Sequence, residues 1–434
     1  MWIAIALLLA ADAPLAPDDA LPAALSLPQA EELFLAHGLD VLIAEAAARG
    51  AEGDLKAAGA HPNPGLDLSA LYVPPTTRDL VNGSLGNNST AATWGFQVGV
   101  TDNAAIEDAL SGKHSLRVET LSRALAAARL GIDDVKRVEL SQLRQAYVAA
   151  VMAKLNLDST QDSLDTYDKQ LKLNQIRFEK GAINGLDLSR ILQAQLEGLQ
   201  AVDQAESGLQ QAIATVEFLL GVRSGPAPLT LTTGIDHTVL PQLSGASVAS
   251  LYALALQHRT DVHIGEATLQ QKLLVEKQAR RAVLPDVALQ LSYGEQCNSQ
   301  TCSSAPTFGV GLQGNLPVFY QQQGEIQRAE SDALAAERSL EKAKAQVLSE
   351  VTQGFAGYVA ADRLVARMEA QLLAQATQSR DLAELMYQKG AASLLDFLDA
   401  QRTYVGARLE YHQDLASYWA SVYALEQATG VPLH

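Results

Sequence analysis

The sequence predicts a mainly α-helical protein with a small β part, built as an internal tandem duplication. Three observations lead to this fold class: a set of segments that recurs in the same order, long helical stretches without proline, and short runs in which apolar and polar residues alternate. The 434 residues provide ample chain to bury a core.

Matched segments at fixed spacings indicate the duplication. Segment 37–46 matches segment 258–267, 221 residues later, and the same spacing relates Tyr72 to Tyr293. Segment 180–187 matches segment 389–396 at a spacing of 209 residues. Several identities at shared spacings and in the same order are hard to obtain by chance. We therefore expect three divisions: a first copy over residues 28–222, a linker or equatorial segment over 223–249, and a second copy over 250–431.

Each copy is predicted to contain a helix, two strands, a long helix, a tight turn and a second long helix. In the first copy Leu121, Leu125 and Ala128 step by four and three residues, which is the spacing of a coiled-coil seam. The stretch from about Ala104 to Arg177 has no proline, and at 1.5 Å per residue it would form a rod on the order of 100 Å long. Residues 322–388 form a similar stretch. Since such helices cannot all pack into one compact globule, we expect an extended shape.

Four alternating runs predict the strands. Each run has about nine residues, with one apolar face and one small or polar face, which is typical of a membrane-spanning β-strand. A soluble sandwich with one solvated face would alternate in the same way. Four strands are too few to close a barrel, so the membrane interpretation requires an oligomer, and a trimer would supply twelve strands. The apolar positions of these runs lie within Leu66–Tyr72, Trp94–Val100, Val287–Tyr293 and Phe308–Leu312.

Composition excludes several classes of function. With 32 Lys and Arg against 49 Asp and Glu, the net charge is −17, which argues against nucleic-acid binding. No apolar run reaches about 18 residues, so no transmembrane helix is expected. No phosphate loop, dinucleotide fingerprint or hydrolase motif is present, so we expect no catalytic residue and no cofactor. His258 and His263 lie five apart and form no metal-binding motif, so no metal site is expected either.

The N-terminus and the two cysteines indicate export. Residues 3–11 are all apolar and a small-x-small triplet follows at 11–13, which predicts a signal peptide over residues 1–13; the alternative is a frayed apolar tail or a misassigned start. Cys297 and Cys302 flank a short polar loop, which favours a disulfide in an oxidising compartment. A metal site would need two more ligands nearby.

Further motifs accompany the duplication: the segment 255–262, the segment 284–287, the segment 315–319 and the paired Lys-Gly-Ala turns. Taken together, these features resemble the TolC family of outer membrane factors, the exit ducts of tripartite efflux pumps and type I secretion systems. The resemblance covers nearly the whole chain. Segment 57–64 is also similar to the Gly-x-x-Pro-Asn-Pro segment of the heavy-metal, cobalt–zinc–cadmium branch. Two features depart from the family: the first copy lacks a counterpart of Leu316-Pro317, and the lipid-bearing cysteine of many members is absent.

The resemblance implies a homotrimer in the outer membrane, with a TolC-like α-helical tunnel across the periplasm and a 12-strand transmembrane β-barrel formed by four strands per chain. Loops 73–92 and 295–306 would then lie outside the cell. The implied partners are a periplasmic adaptor (membrane fusion protein), an inner membrane pump of the resistance–nodulation–division type and outer membrane lipid, with no nucleic acid. The implied function is passive conduction of metal cations or small toxic compounds.

The resemblance also assigns roles near the turns between the long helices. Carboxylates matching Asp396 and Asp399 ring the narrow end of the tunnel in the family, and residues matching Asp187 and Tyr387 hold the entrance shut. Helix capping and solvated charge would explain the same aspartates without any channel. Ala392 replaces the usual basic partner of the closed state. The turns themselves would contact the adaptor through Lys180, Gly181, Ala182, Lys389, Gly390 and Ala391.

An alternative of a different class is a soluble periplasmic coiled-coil scaffold or adaptor whose strands form a small sandwich. Contact of the strands with lipid distinguishes the two hypotheses. A duct partitions to the outer membrane and needs detergent, whereas a scaffold is released by salt or carbonate.

Overall fold

The computed structural model describes residues 24–73, 93–223, 229–232, 234–298 and 306–433. The predicted signal peptide, most of the predicted loop 73–92 and Cys302 lie outside these residues. The elements in chain order are β1 (Ala24–Leu25), α1 (Leu27–His37), α2 (Leu39–Gly59), β2 (Gly65–Val73), β3 (Thr93–Thr101), α3 (Ala105–Ser111), α4 (Lys113–Glu179), α5 (Gly185–Leu219), β4 (Thr230–Leu231), α6 (Val248–His258), α7 (Thr260–Arg281), β5 (Val287–Asn298), β6 (Thr307–Gly314), α8 (Gln323–Arg367), a π-helical turn (Met368–Leu372), α9 (Leu373–Gln388) and α10 (Leu394–Thr429).

The chain divides into two compact units. The first contains the described residues up to Ala46 together with Leu130–Val262 and the residues from Lys342 onward. The second contains Ala47–Arg129 and His263–Glu341, and therefore holds the four-stranded sheet. Among the residues that the structure describes, no helix combines the length and the apolar character needed to cross a membrane.

The sheet of the second unit has the strand order β2-β3-β5-β6, with every neighbouring pair antiparallel. Tyr72 pairs with Trp94, and Leu291 pairs with Val310. Because side chains alternate between faces, this register places the apolar residues of all four predicted runs on one face. Large residues on that face are exposed in the chain: Trp94 is 61% and Val310 is 76% accessible. The predicted alternation is thus confirmed, and it leaves an uncovered apolar surface.

One strand is longer than the sequence pattern indicated. The pattern ended the third strand at Tyr293 and placed the following residues in a loop, whereas β5 continues to Asn298. The reason is the partner strand: β3 begins at Thr93, so its first residues offer backbone partners to Glu295 and Cys297. Cys297 therefore lies within a strand, opposite Trp94.

In the first unit the predicted coiled-coil seam of α4 forms the core. Leu143, Tyr147 and Ala150 are fully buried, and the hydroxyl of Tyr147 donates a hydrogen bond to the carbonyl of Leu25. These positions continue the predicted spacing of four and three residues. The residues at that spacing therefore form the buried face of the helix.

The two copies share a detail of packing at their ends. Gly221 and Gly430 follow the last helix of each copy with φ values of 78° and 75°. A Cβ atom on Gly221 would lie 2.6 Å from the carbonyl oxygen of His37, and one on Gly430 would lie 3.1 Å from that of His258. Both positions therefore need glycine for conformation and for space. His37 and His258, which match in the two copies, therefore lie where the end of each copy packs against its beginning.

The long helix of the second copy differs from that of the first. Helix α4 is continuous over 67 residues, but its counterpart is interrupted by the π-helical turn at Met368–Leu372 between α8 and α9. Such turns bulge a helix locally and often occur at functional positions. The sequence pattern, which contains no glycine or proline there, gave no indication of this interruption.

Candidate functional site

The candidate site is the pair of turns between the long helices of the first unit. Lys180, Gly181 and Ala182 follow α4, and Lys389, Gly390 and Ala391 follow α9. In the single chain all six residues are exposed, so both turns are accessible to a partner protein.

Both turns end their helix with the same backbone geometry. In the second turn, the amide of Ala391 donates to the carbonyl of Met386 at 2.8 Å and that of Gly390 donates to Tyr387 at 3.1 Å. This pair of hydrogen bonds is a Schellman motif, which requires a residue with positive φ just after the helix. Gly390 has a φ of 74° and Gly181 has a φ of 70°. The repeated Lys-Gly-Ala sequence is therefore explained by helix termination.

The helices that leave the turns begin with side-chain caps. Asn184 accepts a hydrogen bond from the amide of Asp187 at 2.9 Å, before α5. Ser393 forms a reciprocal capping box with Asp396 before α10: Ser393 Oγ accepts from the Asp396 amide at 3.2 Å, and the Ser393 amide donates to Asp396 Oδ2 at 3.0 Å. Each cap satisfies amide groups that a helix start leaves without partners.

The predicted site contains three aspartates, Asp187, Asp396 and Asp399. Only for Asp396 do the contacts within the chain fully explain the residue. Hydrogen bonds from the side chain and then the backbone of Ser393 lower the pKa of Asp396, so its carboxyl is ionised at neutral pH. Asp187 lies 3.4 Å from the guanidinium of Arg190 on the next helical turn. Asp399 is exposed on α10, one turn after Asp396. The interpretation of Asp396 as a cap is thus borne out, while a pore role for these residues stays a prediction.

Tyr387 is buried rather than exposed at the turn. Its hydroxyl donates to Asn174 Oδ1 at 2.5 Å, and the amide nitrogen of Asn174 donates to the carbonyl of Gln170 at 2.8 Å. Its ring lies 5.7 Å from that of Phe397, and the guanidinium of Arg177 lies 5.1 Å above it. The surrounding core is made by α4, α5, α9 and α10 and includes Tyr167, Leu171, Ile191, Ala194, Leu394, Phe397 and Leu398.

The structure therefore does not bring Tyr387 and Asp187 together within the chain. Tyr387 ties the end of α9 to α4, and Asp187 faces its own helix. Any contact between them would have to come from another copy, and it stays a prediction. The contact with Asn174 was not predicted from the sequence, although this asparagine follows Tyr167 by seven residues, one heptad along α4. A polar residue on an apolar seam was the available signal.

Among the described residues no group of His, Cys, Asp and Glu side chains is arranged to hold a metal ion. Cys297 is partly buried in β5, and its predicted partner Cys302 lies outside the described residues, so the disulfide stays a prediction.

Comparison with known proteins provides independent information on this chain. The family model for outer membrane efflux proteins matches residues 32–222 and 251–431. The pyoverdine export outer membrane protein OpmQ of Pseudomonas putida is 27% identical over 331 residues, which cover 74% of this chain and 68% of that protein. The toluene efflux pump outer membrane protein TtgC of Pseudomonas putida is 29% identical over 280 residues, 62% of this chain but only 56% of that protein.

Two further matches concern a metal-resistance protein and a solved structure. The cobalt-zinc-cadmium resistance protein CzcC of Cupriavidus metallidurans is 23% identical over 328 residues, which cover 74% of each chain. The crystal structure of the outer membrane protein VceC of Vibrio cholerae is similar with a TM-score of 0.72 and 20% identity, over 94% of this chain and 97% of that chain.

Proposed function

Because this chain belongs to the family of outer membrane efflux proteins, we propose that it is the outer membrane exit duct of a tripartite efflux system. Three copies would place their helices around a tunnel in the periplasm and their four-stranded sheets side by side in the outer membrane. The duct would conduct passively, and a partner would supply the energy for transport.

The observation that carries this proposal is the family match to both repeats of the chain. The sheet supports it physically, because its apolar residues form one exposed face, with Leu68 at 70% and Phe308 at 80% accessibility. An apolar face with such exposed residues needs a cover, and lipid acyl chains provide one without a partner protein.

The turns of the first unit suit contact with an adaptor. Both are exposed, both are rigid by hydrogen bonding, and both carry a lysine beside a glycine with positive φ. We assign Lys180, Gly181, Ala182, Lys389, Gly390 and Ala391 to the contact with a periplasmic adaptor, which would connect the duct to an inner membrane pump of the resistance–nodulation–division type.

For the cargo we propose metal cations or small toxic compounds. The relatives named above are a pyoverdine export protein, a toluene efflux pump protein and a cobalt-zinc-cadmium resistance protein, so relatives of this kind serve different cargoes. In a trimer, Asp396 and Asp399 would contribute carboxylates from three chains to one narrow region. Crowded carboxylates favour cations over anions in a pore.

Conductance across a planar bilayer tests the proposal. We expect discrete, cation-favouring openings from the detergent-purified protein and a fall of about twofold or more in cation preference for Asp399→Asn. Asp399 is the better position to change, since Asp396 also caps α10. Asp203→Asn is the matched control, because Asp203 is exposed on α5 outside the turn.

Each outcome has a distinct meaning. Openings that lose cation preference only in Asp399→Asn support the duct and the acidic constriction. Openings that Asp399→Asn leaves unchanged support the duct and refute the role of Asp399 in the constriction. A protein that forms no openings and stays in solution without detergent refutes the duct and favours the coiled-coil scaffold.

A further inference from the structure

A histidine in the segment between the two copies lies between two carboxylates of the second copy. His237 Nε2 is 3.1 Å from Asp362 Oδ1 on α8, and its Nδ1 is 3.0 Å from Glu369 Oε2 in the π-helical turn. The side chain is only 9% exposed. All of these residues belong to the first unit. Each ring nitrogen therefore faces an acceptor on a different turn of the same long helical stretch.

This geometry depends on the protonation of the ring. A neutral imidazole carries one N–H group and one lone pair, whereas the imidazolium ion carries two N–H groups. Only the imidazolium can donate to both carboxylates. In the neutral form, one ring nitrogen would direct its lone pair at a carboxylate oxygen, so one hydrogen bond would be replaced by repulsion.

The other groups around His237 make the surroundings acidic or apolar. Asp236 precedes it on the same segment, the ring of Tyr358 on α8 lies 5.8 Å from that of Tyr418 at a tilt of 45°, and Tyr418 on α10 meets the histidine ring edge-on at 4.9 Å. Tyr411 on α10 donates to Glu369 Oε1 at 2.8 Å. Burial, followed by the hydrogen bond to Glu369 and the charges of Glu369 and Asp236, raises the pKa of Tyr411.

The same short segment is held by two further hydrogen bonds from α10. The hydroxyl of Tyr418 donates to the carbonyl of Thr238 at 2.6 Å, and the indole nitrogen of Trp419 donates to the carbonyl of Asp236 at 3.2 Å. Three side chains thus hold the segment, those of His237, Tyr418 and Trp419. Of these, His237 belongs to the segment itself.

We propose that His237, as an imidazolium between Asp362 and Glu369, is a pH-dependent clasp that fixes the segment joining the two copies against α8, the π-helical turn and α10. Loss of one proton removes one of the two bonds and loosens the segment. The π-helical turn has a role in this arrangement, because it carries Glu369, whose carboxylate forms hydrogen bonds with both His237 and Tyr411. The first copy has no counterpart, since its long helix has alanine at 153 and threonine at 160 in the matching places.

Hydrogen exchange of the full chain in detergent tests the clasp at pH 6 and pH 8, with rates corrected for the intrinsic effect of pH. The informative peptide covers residues 236–246, in which the amides of Leu243 and Ser244 donate to the carbonyls of Leu240 and Pro241. We expect its protection to fall about tenfold from pH 6 to pH 8, which corresponds to the loss of one charge-assisted hydrogen bond. Peptides from the middle of α10 should keep their protection and show that the unit stays folded.

Two variants at this position give opposite expectations. His237→Gln cannot carry a charge, so its segment should have low protection at both pH values. His237→Lys stays charged over this range, so its segment should have high protection at both. His263→Gln is the control, because His263 is a partly exposed histidine of the second unit, and it should behave as the unchanged protein. Protection that is equal at pH 6 and pH 8 in the unchanged protein, or that His237→Gln does not alter, would overturn the proposal.

Discussion

At the scale of single residues, the contact between Tyr387 and Asn174 is the polar bond that ties α9 to α4 beside the turns. Both side chains are buried, and Asn174 is 0% exposed. Tyr387→Phe would keep the ring and leave the Asn174 oxygen buried without its donor. We expect a loss of about 1–3 kcal/mol in the free energy of unfolding, measured by chemical denaturation in detergent.

A second tyrosine serves as the control for this change. Tyr252 on α6 is partly exposed, and Tyr252→Phe should cost less than about 0.5 kcal/mol. If the tie also restrains the turns, Tyr387→Phe should lengthen channel openings. Equal stability of the two variants would show that the hydroxyl of Tyr387 contributes nothing net.

His412 on α10 predicts a loss of stability in acid. Burial, with a smaller contribution from the Arg408 guanidinium, lowers its pKa from 6.5 to about 4. The folded protein thus keeps this histidine neutral while the unfolded chain protonates it. Stability should therefore fall as the pH drops from about 6.5 to about 4, by a total on the order of 3 kcal/mol.

His412→Gln should remove this part of the pH dependence and leave the rest, as measured by unfolding at a series of pH values. The partner of the ring is Asn156, whose Oδ1 lies 2.7 Å from Nδ1. His263→Gln should retain the acid sensitivity of the unchanged protein. Parallel profiles for His412→Gln and the unchanged protein would refute the assignment. The sign is opposite to that of His237, whose bonds are complete when protonated.

At the scale of elements, the end of α9 predicts the effect of a glycine substitution. Gly390 has a φ of 74° and open space around its Cα, so Gly390→Ala is strained by conformation alone. We expect a cost of about 1 kcal/mol in stability. Gly131→Ala, inside α4 and also with open space, should instead stabilise by about 0.5–1 kcal/mol, because alanine favours helix. The measurement is unfolding of both variants under one condition.

The sheet predicts which tryptophan meets lipid. Trp94 is 61% exposed on the apolar face, whereas the indole of Trp419 donates to a carbonyl and its ring lies 5.5 Å from that of Tyr418. In vesicles of brominated lipid we expect tryptophan fluorescence to be quenched. Trp94→Phe should abolish most of this quenching, and Trp419→Phe should preserve it. The reverse pattern would mean that the apolar face is covered by protein.

The helices and strands were predictable from the sequence because each has a strong period. The seam of α4 at Leu143, Tyr147 and Ala150 and the alternation from Leu66 to Tyr72 depend on which residues share one face of an element, and one sequence contains that information. The extension of β5 to Asn298 was not predictable, because it depends on where β3 begins. The π-helical turn lacked a local signal for the same reason: its contacts come from His237 and Tyr411.

At the scale of the whole molecule, the family and its fold followed from the order of several weak motifs, which the family match to both repeats confirms. The candidate site was only partly accessible in this way. The turns were predictable, since Lys-Gly-Ala recurs and glycine ends helices. The partner of Tyr387 was not, because Asn174 precedes it by 213 residues and only tertiary packing brings the two together.

The last prediction concerns the number of copies. Helix α5 carries Leu192, Leu196 and Leu199 in steps of four and three residues, and all three are at least 42% exposed. Such a stripe is a helix seam without its partner, and a neighbouring copy would cover it in the proposed trimer. Leu196→Glu would bury a charge at that interface, so we expect light scattering in detergent to give the mass of one chain in place of three.

A polar change on the same helix separates this effect from charge alone. Gln210 is also exposed on α5, and Gln210→Glu should leave the mass at three chains. Both variants add one negative charge to a chain whose net charge is already −17, so a difference between them must come from the apolar stripe. If Leu196→Glu keeps three chains together and conducts normally, the stripe lies outside the interface, and the copies must be held through other surfaces such as the unpaired edges of β2 and β6.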